Sequence, residues 1–372
     1  MRRIDRYLHQ LPDWPRFHWR QGAVAETLAD TRHRQGRLLG RMESLGFFLQ
    51  REAELETLTL DVLKSSEIEG ENLDADQVRS SIARRLGMDI AGAVLADRNV
   101  EGVVEMTLDA AQNFDKPLSD ERLFGWHAAL FPTGRSGLGK IIVGAWRDDA
   151  SGPMQVVSGP IGKERVHYEA PAAPLLDGEM SRFLNRANET ADRTDPVLRA
   201  ALAHLWFVTI HPFDDGNGRI ARAIADWLLA RSENTTQRFY SMSAQIRHER
   251  KAYYDILERT QKGTLEITLW MKWFLGCLGR AFEGTETTLA AVLRKARFWE
   301  RHARTTINDR QRAVLNRLLN GFVGKLTTTK YAKLAKCSHD TALRDIQNLI
   351  EHGILEKDPG GGRNTSYSLK KN

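Results

Sequence analysis

Cysteine is scarce: Cys277 and Cys337 are the only two in 372 residues. Two distant thiols make neither a disulfide framework nor a cysteine-based zinc site. Long hydrophobic runs are missing as well. The most apolar stretches, 201–210 and 267–282, are too short or are interrupted by Lys272 and Arg280, so no helix is expected to cross a membrane and no membrane partner is expected. The first residues run into charged and aromatic positions without an apolar stretch and cleavage site, so no export signal is expected and a cytoplasmic location is the default. Disorder-type composition is lacking too, because 41% hydrophobic and 27% charged residues is ordinary globular usage.

A surplus of one charge is also absent from most of the chain. The net charge is +6, but twelve Lys or Arg stand against five Asp or Glu from Arg310 to Asn372, while the rest holds 42 against 43. An acidic partner is therefore expected for the tail and not for the body.

The length exceeds one average domain, and two or three folded units are expected. Apolar residues at three- and four-residue spacing predict helices over Val24–Leu63, Asp74–Leu86, Ala96–Phe114 and Asp120–Leu130, then over Glu179–Ala187, Pro196–Ile210, Asn217–Arg231, Ala244–Gln261 and Ile267–Trp299. Between Gly134 and Pro174 glycine and proline are frequent, and Lys140–Ala145, Met154–Val157 and Arg165–Tyr168 have strand-like content, which predicts a loop and a β-hairpin. After His302–Asn308 come three short helical stretches and two strand-like runs flanking the turn Asp358–Arg363. The expected fold is mainly α: a helical core with an inserted β-hairpin, followed by a winged helix-turn-helix. The expected boundaries are 1–95 for an N-terminal helical extension, 96–300 for the core and 308–372 for the tail. In that tail Lys330, Lys336, Arg344 and Arg363 are candidates for phosphate contact, and DNA is one expected partner through 308–372. The same outline also serves in modules that bind proteins.

Residues 211–222 read His-Pro-Phe-Asp-Asp-Gly-Asn-Gly-Arg-Ile-Ala-Arg, directly after an apolar helix. Gly216, Asn217 and Gly218 can turn tightly and leave backbone N–H groups free at the start of the next helix, where the helix dipole favours an anion. Arg219 and Arg222, three apart, project from one helical face towards that anion. Asp215 suits a hard cation such as Mg²⁺, which reaches proteins through one or two carboxylates plus phosphate oxygens. His211 can act as a base, its ordinary pKa being about 6.5. Anion cradle, metal carboxylate and base together describe phosphoryl or nucleotidyl transfer from a nucleoside triphosphate.

This string resembles the Fic family motif and matches every specified position. The similarity extends over most of 1–300. It implies a mostly helical catalytic core that transfers AMP from ATP, with Mg²⁺, to a Ser, Thr or Tyr hydroxyl of a target protein. Carried over, His211 deprotonates the hydroxyl, Phe213 anchors the loop, Asp215 binds the metal, Gly216, Asn217 and Gly218 hold the α and β phosphates, Arg219 the β and Arg222 the γ phosphate. Relatives with Lys in place of the second Gly act as kinases; retention of Gly218 therefore implies AMP transfer. Tyr254 and Gln261 stand where relatives place an aromatic and an amide against adenine. The hairpin resembles the family's flap, which docks the target as an added strand; Val157 is placed to clamp the target side chain, and Gly159–Arg165 looks like an insertion.

Ser65-Ser66-Glu67-Ile68-Glu69-Gly70 matches the family's inhibitory pattern of Ser or Thr, three residues, Glu and Gly. By that resemblance Ser65 and Glu69 belong to an inhibitory helix within 1–95, Glu69 pairs with Arg222, and the resting enzyme is slow. Self-modification and a homodimer are family traits. Two other readings stay open from the residues: a hydrolase that uses Glu69 to remove AMP, and a DNA-binding regulator with a nucleotide-sensing core.

Overall fold

The computed structural model describes residues 7–90, 92–150, 152–160, 162–319, 322, 324–359 and 365–370. It is mainly helical, and its contacts divide the chain into two compact units. The first comprises the chain up to Leu86 together with Leu95–Glu286; the second comprises Gly87–Val94 and the chain from Thr287 onward.

The first unit begins with α1 (Gln21–Glu43), α2 (Phe47–Ile68), α3 (Ala75–Arg85), α4 (Arg98–Gln112) and α5 (Asp120–Leu130). Where periodicity predicts one helix over Val24–Leu63, the structure has two. The break falls at Ser44-Leu45-Gly46, with Gly46 extended as the N-cap of α2. Helix α2 then runs past Leu63, because the polar residues Ser65 and Ser66 are buried rather than solvated. That extension carries the 65–70 segment into the interior.

Two short strands, β1 (Arg135–Ser136) and β2 (Gly139–Lys140), pair with each other. The strand expected over Lys140–Ala145 does not continue beyond Lys140, since the backbone donors there go to side chains: Ile142 N donates to Asp214 Oδ2 at 2.8 Å and Gly144 N to His127 Nδ1 at 3.3 Å. The antiparallel hairpin β3 (Gln155–Ser158) and β4 (Arg165–Glu169) follows, with a register shift between Val156 and Val157.

Beyond α6 (Leu176–Asn188), helices α7 (Pro196–Ile210) and α8 (Asn217–Glu233) form the centre of the unit. Helix α7 starts with Pro at its first position and an Asp195 cap, whose Oδ1 accepts from Val197 N at 2.8 Å. Its residues from Ala200 to Ile210 are all buried, as expected of a helix that is apolar on every face. Phe207 is fully buried there, and truncating such a side chain to Ala costs about 3–5 kcal/mol. The stretch Ala244–Gln261, predicted as one helix, is broken at Glu249 into α9 (Met242–His248) and α10 (Arg250–Gln261). Helix α11 (Thr268–Arg301) follows, its residues up to Glu286 in this unit and those from Thr287 in the second.

The second unit contains α12 (Asp309–Leu319), β5 (Leu326–Thr327), α13 (Thr328–Leu334), α14 (His339–Glu351), β6 (Leu355–Lys357) and β7 (Ser366–Leu369). The strands form an antiparallel sheet of order β5-β7-β6. Leu315, Tyr331, Ile346, Leu349 and Leu355 give this unit its own core. Most of the turn Asp358–Arg363, including Arg363, lies outside the described residues.

Candidate active site

The link between α7 and α8 is a short turn whose conformation is set at both ends. Its first residue, His211, has φ 53°, and Gly216 has φ 80°. Left-handed backbone is uncommon for a residue with a side chain and needs support from its surroundings. Arg147 supplies it for His211. Its guanidinium is fully buried, Nε donating to the His211 carbonyl at 2.9 Å, Nη2 to the Pro171 carbonyl at 2.6 Å and Nη1 to Asp149 Oδ1 at 3.1 Å, while its backbone N donates to the Pro212 carbonyl at 3.0 Å. At Gly216 a Cβ would lie 2.9 Å from Phe131 Cε2, so glycine is required by space as well as by φ.

Inside the turn, Asn217 bonds back to Phe213: Phe213 N donates to Asn217 Oδ1 at 3.0 Å and Asn217 Nδ2 donates to the Phe213 carbonyl at 2.8 Å. The Asn217 side chain thus closes the loop, and its contribution to an anion is left to its backbone. Phe213 is buried and stacks on the His127 ring at 4.2 Å between centroids. His127 itself accepts from Gly144 N, and its Nε2 lies 3.2 Å from the Asp215 carbonyl, to which it donates. Burial lowers the His127 pKa to about 4, which keeps the ring in the neutral form that those two bonds require.

The imidazole of His211 is oriented in the same manner. Its Nδ1 donates to the Val208 carbonyl at 3.3 Å, which leaves Nε2 as the lone-pair nitrogen. Burial is the largest cause of a pKa lowered to about 4, so the ring is a neutral acceptor across the physiological range.

Arg219 and Arg222 leave α8 almost wholly buried. Arg222 Nη2 donates to Glu69 Oε1 at 2.8 Å and to the Ser65 carbonyl at 3.0 Å, and Nε donates to Ser65 Oγ at 2.9 Å. Burial, the largest single influence, works against the Arg222 charge, but the Glu69 carboxylate together with Tyr253 and Tyr254 raises the pKa on balance. The structure therefore brings Ser65 and Glu69 to Arg222. A Cβ at Gly218 would collide with Glu69 Oε1; the carboxylate lies directly over the turn. Arg219 sits 5.0 Å above the Phe131 ring, and its Nη1 donates to Glu71 Oε2 at 2.7 Å.

Of the other expected site residues, Tyr254 is partly exposed on α10 with its hydroxyl 3.4 Å from Glu69 Oε2. Burial is the main reason its pKa is raised. Gln261 is buried, its amide 3.4 Å from the Val208 carbonyl and 3.5 Å from Thr209 Oγ1, close to His211 in the chain. Val157 is 49% exposed on β3. The hairpin reaches the end of α7 through β4, where the Tyr168 hydroxyl donates to the Thr209 carbonyl at 2.6 Å. Asp215 Oδ1 accepts from Gly216 N at 2.6 Å, and Ser136 Oγ bonds to Oδ2. Among the described residues no group of three or more His, Cys, Asp or Glu could hold a metal unaided. A cation at Asp215 would need phosphate oxygens to complete its shell, which is how Mg²⁺ is ordinarily bound.

Arg147, His127 and Glu71 belong to no sequence motif. Their partners lie 64, 88 and 148 positions away.

Residues 117–229 match the Fic/DOC family, and residues 7–88 match a domain of unknown function, DUF4172. The chain is 31% identical over 181 residues to protein adenylyltransferase fic-1 of Caenorhabditis briggsae, covering 48% of this chain and 32% of that protein. It is 28% identical over 236 residues to protein adenylyltransferase Fic of Culex quinquefasciatus, covering 62% of this chain and 42% of that one. It thus spans less than half the length of these relatives. In fold it is similar to a Fic family protein from Desulfovibrio desulfuricans G20, with TM-score 0.53 and 21% identity over 95% of this chain and 98% of the other. A Fic domain containing signaling protein from Bacteroides thetaiotaomicron VPI-5482 gives TM-score 0.51 and 20% identity over 70% of this chain and 97% of the other. The turn, the helices that fix it and these matches agree that residues 117–229 form a Fic/DOC family domain.

Proposed function

We propose that this protein is an adenylyltransferase that moves AMP from ATP to a Ser, Thr or Tyr hydroxyl of a target protein, and that Glu69 restrains it at rest. The observation that carries the reading is the turn itself, with a neutral imidazole, an anion-binding helix start and two buried arginines within twelve residues. Arg219 Nε and Arg222 Nη1 are buried without a hydrogen-bond partner among the described residues. Buried cationic donors of that kind suit polyphosphate oxygens.

In the proposed reaction, His211 Nε2 takes the proton of the target hydroxyl. The hydroxyl oxygen bonds to the α phosphorus, the bond from that phosphorus to the bridging oxygen breaks, and pyrophosphate leaves. The N–H groups of Gly216, Asn217 and Gly218 at the start of α8 hold phosphate oxygens, with Arg219 on the β and Arg222 on the γ phosphate. Asp215 would hold Mg²⁺, which would neutralise phosphate charge. Tyr254 and Gln261 line the adenine side. The hairpin β3–β4 acts as a flap that docks the target, with Val157 against the modified side chain. Glu69, paired with Arg222 and lying over Gly218, takes the place of the γ phosphate, so the resting protein is slow. We read the three helices and antiparallel sheet of the second unit as a winged helix-turn-helix.

The test is incubation of Glu69→Gly with ATP labelled at the α phosphate, Mg²⁺ and host lysate. A labelled protein that fails to appear with His211→Ala added is expected. No label with Glu69→Gly would overturn the reading.

A further inference from the structure

Helix α2 ends in a C-cap whose geometry orients two carboxylates. Gly70 has φ 88°, Glu71 N donates to the Ser66 carbonyl at 3.0 Å, and Gly70 N donates to the Glu67 carbonyl at 3.2 Å. These two bonds around a left-handed glycine define a Schellman cap, which fixes the chain direction on either side of the glycine. Arg250 Nε holds the Ile68 carbonyl at 2.8 Å and pins the same end. Glu69 and Glu71 flank Gly70, and they meet two arginines on one face of α8: Glu69 takes Arg222 at 2.8 Å and Glu71 takes Arg219 at 2.7 Å. The inhibitory pattern that the sequence matches accounts for Glu69 alone.

We infer that Glu71 determines which nucleotides the resting site admits, by competing with the β phosphate for Arg219. This rests on the proposed function, in which Arg219 takes the β and Arg222 the γ phosphate. With each arginine already paired to a carboxylate, a second or third phosphate has to displace Glu71 or Glu69 to gain the full charge of its arginine. A nucleoside monophosphate loses nothing by this, a diphosphate meets Glu71, and a triphosphate meets both carboxylates. The two barriers differ in strength for a physical reason. Glu71 is 45% exposed and Glu69 28%, so the Glu71 pair is the more screened and the cheaper to break. It grades affinity by phosphate count, while Glu69 supplies most of the block on ATP.

The test is calorimetric titration of the full chain with AMP, ADP and ATP in Mg²⁺ buffer, comparing the parent, Glu71→Gln, Glu69→Gly and the double variant. For Glu71→Gln we expect ADP and ATP to bind about 2- to 5-fold more tightly, the range set by an exposed ion pair, with AMP unchanged. The double variant should bind ATP more tightly than Glu69→Gly by a similar factor. Equal ADP affinity in Glu71→Gln and the parent overturns the inference, as does an equal gain for AMP. If Glu69→Gly binds ATP and transfers AMP while Glu71→Gln changes nothing, the inference alone fails. If no variant binds any adenine nucleotide, the proposed function fails with it. Glu71→Ala serves as the second variant should Gln retain the contact by hydrogen bonding.

Discussion

The turn at 211–218 and the cap at 65–71 face each other, yet they are held in opposite ways. The turn is bound from several sides by buried groups: Asn217 closes it on itself, His127 and Phe213 stack within it, and Arg147 holds its first carbonyl. The cap belongs to a helix whose body is buried, but Glu69, Gly70 and Glu71 at its tip are exposed and meet α8 through ion pairs. Under the proposed function the turn gains from preorganisation, because displacing a base by about 1 Å can cost roughly 10²-fold in rate. A restraint has to leave, and exposed charges let go more easily than packed side chains.

That contrast predicts effects of opposite sign. The largest is loss of the base: His211→Ala in a Glu69→Gly background should abolish AMP incorporation, general-base catalysis being worth about 10²–10⁴-fold. Residual transfer near the Glu69→Gly level would place the base elsewhere. Next, Glu69→Gly should raise AMP incorporation by roughly 10- to 150-fold, the span of a coupling of about 1.4–3 kcal/mol. Equal rates with the parent would remove the restraint from the account.

A smaller loss tests the turn's support. Arg147→Lys keeps the charge and forfeits the fork, and should lower kcat by about 10-fold or more with KM for ATP little changed. An unchanged kcat would mean that the left-handed His211 is held by something else.

The pH dependence follows from burial of His211. Because desolvation disfavours the imidazolium and lowers the pKa to about 4, the base form persists below pH 6.5. The acid limb of kcat/KM for Glu69→Gly should therefore lie well under 6.5, and removing the Glu69 charge moves it further down. A limb at 6.5 or above would contradict this. The smallest effect is expected outside both regions. Exchanging Lys336 and Arg344 for Ala in the second unit should leave AMP incorporation within about two-fold, as surface changes usually do.

The two regions also differed in how far the sequence revealed them. The turn was readable because its candidate residues are contiguous: an imidazole, a carboxylate, a glycine-rich turn and two arginines fall within 211–222 beside one helix start. Glu69 was readable through its pattern. Arg147, His127 and Glu71 were not, because each is an ordinary residue until folding brings it to a partner 64 to 148 positions away. The fold showed the same limit. Helix α7 announced itself by its apolar run, whereas the break between α1 and α2 at Gly46 and the irregular path of 141–145 depend on tertiary partners that periodicity does not register.

The most direct measurement is label transfer from α-labelled ATP by three proteins side by side: the parent, Glu69→Gly, and Glu69→Gly with His211→Ala. The account predicts faint labelling by the first, strong labelling by the second and none by the third. Equal labelling by all three, or none by Glu69→Gly, would contradict it.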